Sequence, residues 1–164
     1  MKTLCVSIAC IFCASVSLNA QDEPPLGLQI RQALNAKEPT WKYVAGIESG
    51  RVPIVPSERR VLVGQWQHKH KDGRQENIVI NIYQVESHAE AIKWLKPTGN
   101  GQVATGWRVD RYKIGEEGYL ATFQAGKRFE IHFRNGNVVG KISGDNFTTV
   151  ERFAKYVIST AVTR

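Results

Sequence analysis

Residues 129–143 read Phe-Glu-Ile-His-Phe-Arg-Asn-Gly-Asn-Val-Val-Gly-Lys-Ile-Ser. Phe129, Ile131 and Phe133 alternate with Glu130, His132 and Arg134, the period-two pattern of a strand with one apolar and one polar face. Asn135-Gly136 follows, and both residues accept the positive φ that a two-residue hairpin turn requires. Val138 to Ser143 then reads as the returning strand. Upstream, Tyr119, Ala121 and Phe123 alternate on a strand that ends at Ala125-Gly126, so the segment predicts a three-stranded antiparallel meander. After it, Thr148-Thr149-Val150-Glu151 has the form of a capping box. It opens a helix whose Val150, Phe153, Ala154, Val157, Ile158 and Ala161 make an apolar stripe.

Working outward, Val61 to His68 and Asn77 to Val85 are β-rich runs joined through the turn signal Lys71-Asp72-Gly73. Ser87-His88-Ala89-Glu90 is a further capping box, and Ala91, Ile92 and Leu95 form the stripe of the helix it opens, which Pro97 stops. Gly99-Asn100-Gly101 begins a connection, after which Trp107 to Tyr112 predicts a short strand. Nearer the start, Leu26, Ile30, Ala33 and Leu34 recur at helical spacing over 26–36. Trp41, Tyr43, Ala45 and Ile47 then alternate as a strand with an aromatic face. The identifiable strand connections are short hairpins, so the expected architecture is α+β, a two-layer antiparallel β-sheet with helices packed on one face.

Residues 1–20 carry a different message. Met1-Lys2 is a basic start, Thr3 to Leu18 is an uncharged apolar run, and Asn19-Ala20 precedes the polar Gln21-Asp22-Glu23. That order reads as a secretory signal peptide cleaved after Ala20. The run is shorter than the ~20 apolar residues that span a bilayer, so no transmembrane segment is expected after leader cleavage. The expected organisation is leader 1–20, linker 21–25 and a single α+β domain 26–164, periplasmic or secreted. Cys5, Cys10 and Cys13 all fall in the leader, which leaves a mature domain without disulfides and excludes thiol catalysis and cysteine zinc sites.

The 164 residues are 42% hydrophobic and 23% charged with a formal net charge of +7, ordinary for a globular domain but basic. The densest basic stretch is His68-Lys69-His70-Lys71-Asp72-Gly73-Arg74. With secretion expected and no nucleic-acid-binding motif, nucleic acid is excluded as a partner, and an anionic glycan or membrane surface fits the charge better. Catalytic patterns are missing from the sequence: there is no Gly-x-Ser-x-Gly elbow and no His-Glu-x-x-His. Glu116-Glu117 is read as part of a tight turn, because adjacent side chains ordinarily point apart. His68 and His70 leave the same side of a strand, and with His132 they define a candidate metal site for a metal-dependent enzyme or metal-binding protein. Trp41, Trp66 and Trp94 are assigned to the core, whereas Trp107 falls in an irregular connection. Asn146-Phe147-Thr148 is a glycosylation sequon whose threonine is also the expected helix cap.

The run Gly115-Glu116-Glu117-Gly118-Tyr119, then Phe133-Arg134-Asn135-Gly136-Asn137-Val138-Val139, then the amphipathic last helix, resembles small exported bacterial α+β domains of unknown function. Those domains show a Gly-Asp-Glu-Ala-like turn, a strand, an Arg-x-Gly-Asn hairpin and a closing helix; here Glu116 and Gly118 stand for the aspartate and alanine. The likeness covers the last fifty or so residues, implies a bacterial envelope setting and carries no catalytic residues. The expectation is therefore an exported binding domain without cofactor or catalytic residues. Its partner would be a protein or an anionic surface in the cell envelope. Its contact face would be the sheet side opposite the helices, including Glu130, His132, Arg134 and Lys141.

Overall fold

The computed structural model describes residues 24–45, 53–95, 106–123 and 126–162. The expected leader with its three cysteines, the residues after Ala45 in the first strand, the connection beginning at Gly99 and the strand end at Ala125 lie outside the described residues. The elements are α1 (Pro25–Lys37), β1 (Lys42–Ala45), β2 (Arg59–Lys69), β3 (Gln75–Gln84), α2 (His88–Leu95), β4 (Trp107–Arg111), β5 (Glu117–Phe123), β6 (Arg128–Asn135), β7 (Val138–Gly144) and α3 (Phe147–Val162). The seven strands form one sheet in the order β1-β2-β3-β7-β6-β5-β4, and every pairing is antiparallel. This is the α+β class that the alternating strands and short turns imply.

The inward face is laid out in rows by the register. Gly64, Ile80, Ile142, Ile131 and Leu120 follow one another across five strands, and Trp66, Ile78, Gly144, Phe129 and Thr122 do the same one step along. Onto these rows α3 presses Val150, Phe153, Ala154 and Val157, all fully buried, and α1 adds Ile30 and Leu34. Each of these side chains except the single methyl of Ala154 contributes roughly 1.5–3 kcal/mol on removal from water. The two helices are tied together by Arg152, which donates to Glu38, and by Lys37 lying over the Tyr156 ring. Glycine makes possible a third row, in which Leu62, Ile82, Gly140, Phe133 and Gly118 follow one another. A Cβ on Gly140 would stand 2.6 Å from Ile82 Cδ1 and 2.7 Å from Phe133 Cζ, and both of those side chains are fully buried.

Three details depart from the sequence reading. The first helix begins at Pro25, which sits at a first-turn position where a missing N–H costs nothing. The cap of α3 is Asn146, whose Oδ1 accepts from the Thr149 N–H at 3.2 Å, so Thr148 lies inside the first turn and Glu151 is free for other partners. The sequon asparagine is thus occupied as a helix cap. The third departure concerns α2, which packs on the other side of the sheet from α1 and α3: its Ala91 and Trp94 cluster with Tyr83, Val85 and Val139. Tyr83 and Val139 point away from Ile82 and Gly140 by strand alternation.

The 53–58 segment locks α2 in place. Val55 is buried in the same cluster, the Ser57 hydroxyl donates to Glu90 Oε2 at 2.6 Å, and the Trp94 indole donates to Glu58 Oε2 at 2.8 Å. Among the described residues no helix is long and apolar enough to cross a membrane. Gly140→Ala is expected to lower the unfolding free energy by about 1–3 kcal/mol through overpacking against Phe133 and Ile82, read from urea denaturation midpoints at unchanged slope.

Candidate functional site

The outward face of β5, β6, β7 and β3 carries three polar rows in register. Ala121, Glu130, Ser143 and Val79 form the first; Tyr119, His132, Lys141 and Asn81 the second; Glu117, Arg134, Val139 and Tyr83 the third. Glu130, His132 and Arg134 on β6 and Lys141 on β7 do lie on this face, but it is not the helix-free side that the sequence predicts, because α2 packs on it against Tyr83 and Val139. Their environments differ sharply, however. Glu130 and Arg134 are buried, and His132 and Lys141 are partly exposed.

Glu130 is the negative centre of the first network. His132 Nε2 lies 3.3 Å from its Oε2, the Lys141 ammonium 3.6 Å from Oε1 and the Arg128 guanidinium 3.9 Å from Oε1. Burial pushes the Glu130 carboxyl upward. The His132 contact and the charges of Lys141, His132 and Arg128 more than offset this, so the group titrates below the usual carboxylate range. It is an ionised acid held in place beneath three basic side chains.

Arg134 organises the second network. Its guanidinium donates to Glu117 Oε2 at 3.1 Å, to Glu116 Oε2, and at 3.4 Å to Nδ1 of His88 on α2. The adjacent carboxylates, which sequence spacing alone would separate, converge because the turn before β5 is unusually tight. Gly115 has φ +61°, the Glu116 N–H donates to the Arg134 carbonyl, and a Cβ on Gly115 would meet that same carbonyl at 2.6 Å. The Tyr119 hydroxyl donates to Glu117 Oε1 at 3.0 Å and, with Arg134, holds Glu117 below its ordinary carboxylate value. The Gly-Glu-Glu-Gly turn and the Arg-Asn-Gly-Asn hairpin are therefore one physical unit, joined through a single guanidinium that also reaches α2.

The histidines divide. His68 and His70 do meet, edge to face with ring centroids 4.6 Å apart; His68 also stacks on Trp41, and His70 Nε2 is 3.1 Å from Glu76 Oε2. His132 does not join them. It is on the opposite face from His68, and β3 and β7 intervene between β2 and β6, a separation of roughly 14 Å. Among the described residues no group of three His, Cys, Asp or Glu side chains is placed to hold a metal ion. Trp107 on β4 pairs with Phe123 on β5, and the two rings lie tilted with centroids 5.1 Å apart. Trp41, Trp66 and Trp94 are core residues. No protein-family model matches the chain, and no curated protein or solved structure shows significant similarity to it.

Three outcomes test these networks. Arg134→Ala removes the partner of two carboxylates and should cost about 1–3 kcal/mol. Lys141→Ala, at a site one-third exposed, should cost under about 1 kcal/mol in the same denaturation assay. Because folding depresses the Glu130 pKa, the unfolded chain binds more protons in the interval below its ordinary value of 4.5. The stability this group provides is complete above that value and is lost as pH falls through the lower folded one. Unfolding midpoints measured across that acid interval should fall more steeply for the wild type than for Glu130→Gln.

Proposed function

We infer that this chain is an exported, non-enzymatic binding domain of the periplasm or extracellular space, and that its contact surface is the polar face of the sheet. The observation that carries this reading is the row of Tyr119, His132, Lys141 and Asn81, partly exposed side chains that follow one another across four strands. A row on a central sheet is rigid, and the buried Glu130 carboxylate beneath it fixes His132 and Lys141 before any partner arrives. Pre-set donors of this kind lose little side-chain freedom on association, which favours recognition. Such a surface suits a partner protein that offers acceptor groups to His132 and Lys141. Export is supported by the order of basic, apolar and small-residue segments in 1–20.

The test uses substitutions that spare the Arg134 network. His132→Gln with Lys141→Gln, whose amides still offer donors to the buried Glu130, should keep the wild-type circular dichroism spectrum while weakening at least tenfold the retention of the partner that immobilised wild-type protein captures from an envelope extract. Retention unchanged by the pair would remove this face from consideration. In the same preparation, an intact mass for a chain beginning at Gln21 is the expected sign of export.

A further inference from the structure

The register collects the basic turns at one end of the sheet. One row near that end runs from Lys42 through Gln67 and Asn77, and on the far side of β7 through Arg128, Phe123 and Trp107. Just beyond it lie Lys69 and the β2–β3 turn with Lys71, and the β5–β6 turn with Lys127. Lys42, Lys69, Lys71 and Lys127 are all exposed, and none has an ion partner among the described residues. Two arginines at this end are already neutralised: Arg74 by Asp72 and Arg108 by Asp110. Asp145 is the exposed carboxylate there that lacks a cation among the described residues, so lysine charge is in excess. The opposite end is mixed instead, with Glu86 beside Arg59 and with Glu116 and Glu117 on Arg134. At the edge of the basic rim the partly exposed Trp107 and Phe123 rings pack against one another at a tilt.

We propose that this end of the sheet docks on an anionic lipid surface, with the lysines among the phosphate headgroups and Trp107 at headgroup depth. Lysines are point charges on flexible stems, suited to a diffuse field of phosphates rather than to one fixed anion. Each adds roughly fivefold to the affinity for an acidic membrane surface. An indole combines an apolar body with an N–H that stays wet, which is why tryptophan gathers at membrane interfaces. A sulfated or carboxylated glycan would answer the same charge but gives the aromatic pair no apolar layer to enter. The surface involved is the rim rather than the Tyr119–His132–Lys141–Asn81 row, so this goes beyond the polar-face reading and stands apart from it.

Vesicle sedimentation of the purified protein tests it. The protein should partition onto phosphatidylcholine vesicles containing phosphatidylglycerol and not onto phosphatidylcholine alone, and the binding should weaken as salt shortens the Debye length. The double change Lys69→Gln, Lys71→Gln should reduce the partition coefficient roughly twenty-fivefold at about fivefold per lysine. Lys69→Arg with Lys71→Arg should retain binding. The charge-matched control Lys93→Gln, Lys113→Gln, on exposed residues away from the rim, should leave it nearly unchanged. Acidic vesicles should also shift the tryptophan emission to the blue, and Trp107→Phe should remove that shift. Equal binding to neutral vesicles, or an equal loss in the control pair, overturns the proposal. Lysine-dependent retention on heparin without vesicle binding overturns it as well and assigns the rim to a glycan.

Discussion

The Phe133 ring lies over the bare backbone of Gly140 on the neighbouring strand, with Ile82 on the far side of the same glycine. Any side chain there would push the three apart, and one pairing of β6 with β7 satisfies the contact. A slip of β6 by one residue would turn Ile131 and Phe133 away from α3 and set Glu130 and Arg134 against it. The register of the central strands, and with it the position of every outward residue, follows from this packing.

That register has a consequence on the other face. Alternation sends Glu130, His132 and Arg134 outward from β6, but β6 has two strands to one side and four to the other, so its outward residues are flanked by neighbouring rows. Near the middle of so wide a sheet, even a solvent-side carboxylate or guanidinium becomes buried, and a buried charge is tolerable only when paired. Glu130 gathers Arg128, His132 and Lys141, while Arg134 gathers Glu116, Glu117 and His88. Residues that share a face therefore separate into two kinds: Arg134 holds a turn and a helix together, while His132 and Lys141 remain reachable from solvent.

Much of this was legible in the chain. The alternation around Ile131 and Phe133, the Asn135-Gly136 turn and the Val150 to Val157 stripe each report a local period, and local periods survive folding. The side of the sheet taken by α2 was not legible. Its Ala91, Trp94 and Leu95 make an apolar stripe that would suit either face, and the choice rests on Val55, Tyr83 and Val139, which come from three distant segments. Asn146 displaced Thr148 as the cap because two residues on either side of Phe147 had capping chemistry and the helix start decided between them. The convergence of Glu116 and Glu117 on Arg134 was hidden for a similar reason: it depends on the backbone of Gly115 meeting a carbonyl nearly twenty residues away.

By itself the sequence determined the class of the domain, the two-faced character of its central strands and the residues that its polar face would present, because these depend on spacing along the chain. Which of those polar residues are buried clamps and which remain open, that His132 is parted from His68 and His70, and that the lysines of two separate turns share one rim were decided by the tertiary structure alone. Each of these depends on strand order and register, which set distances between segments that composition and periodicity leave unspecified.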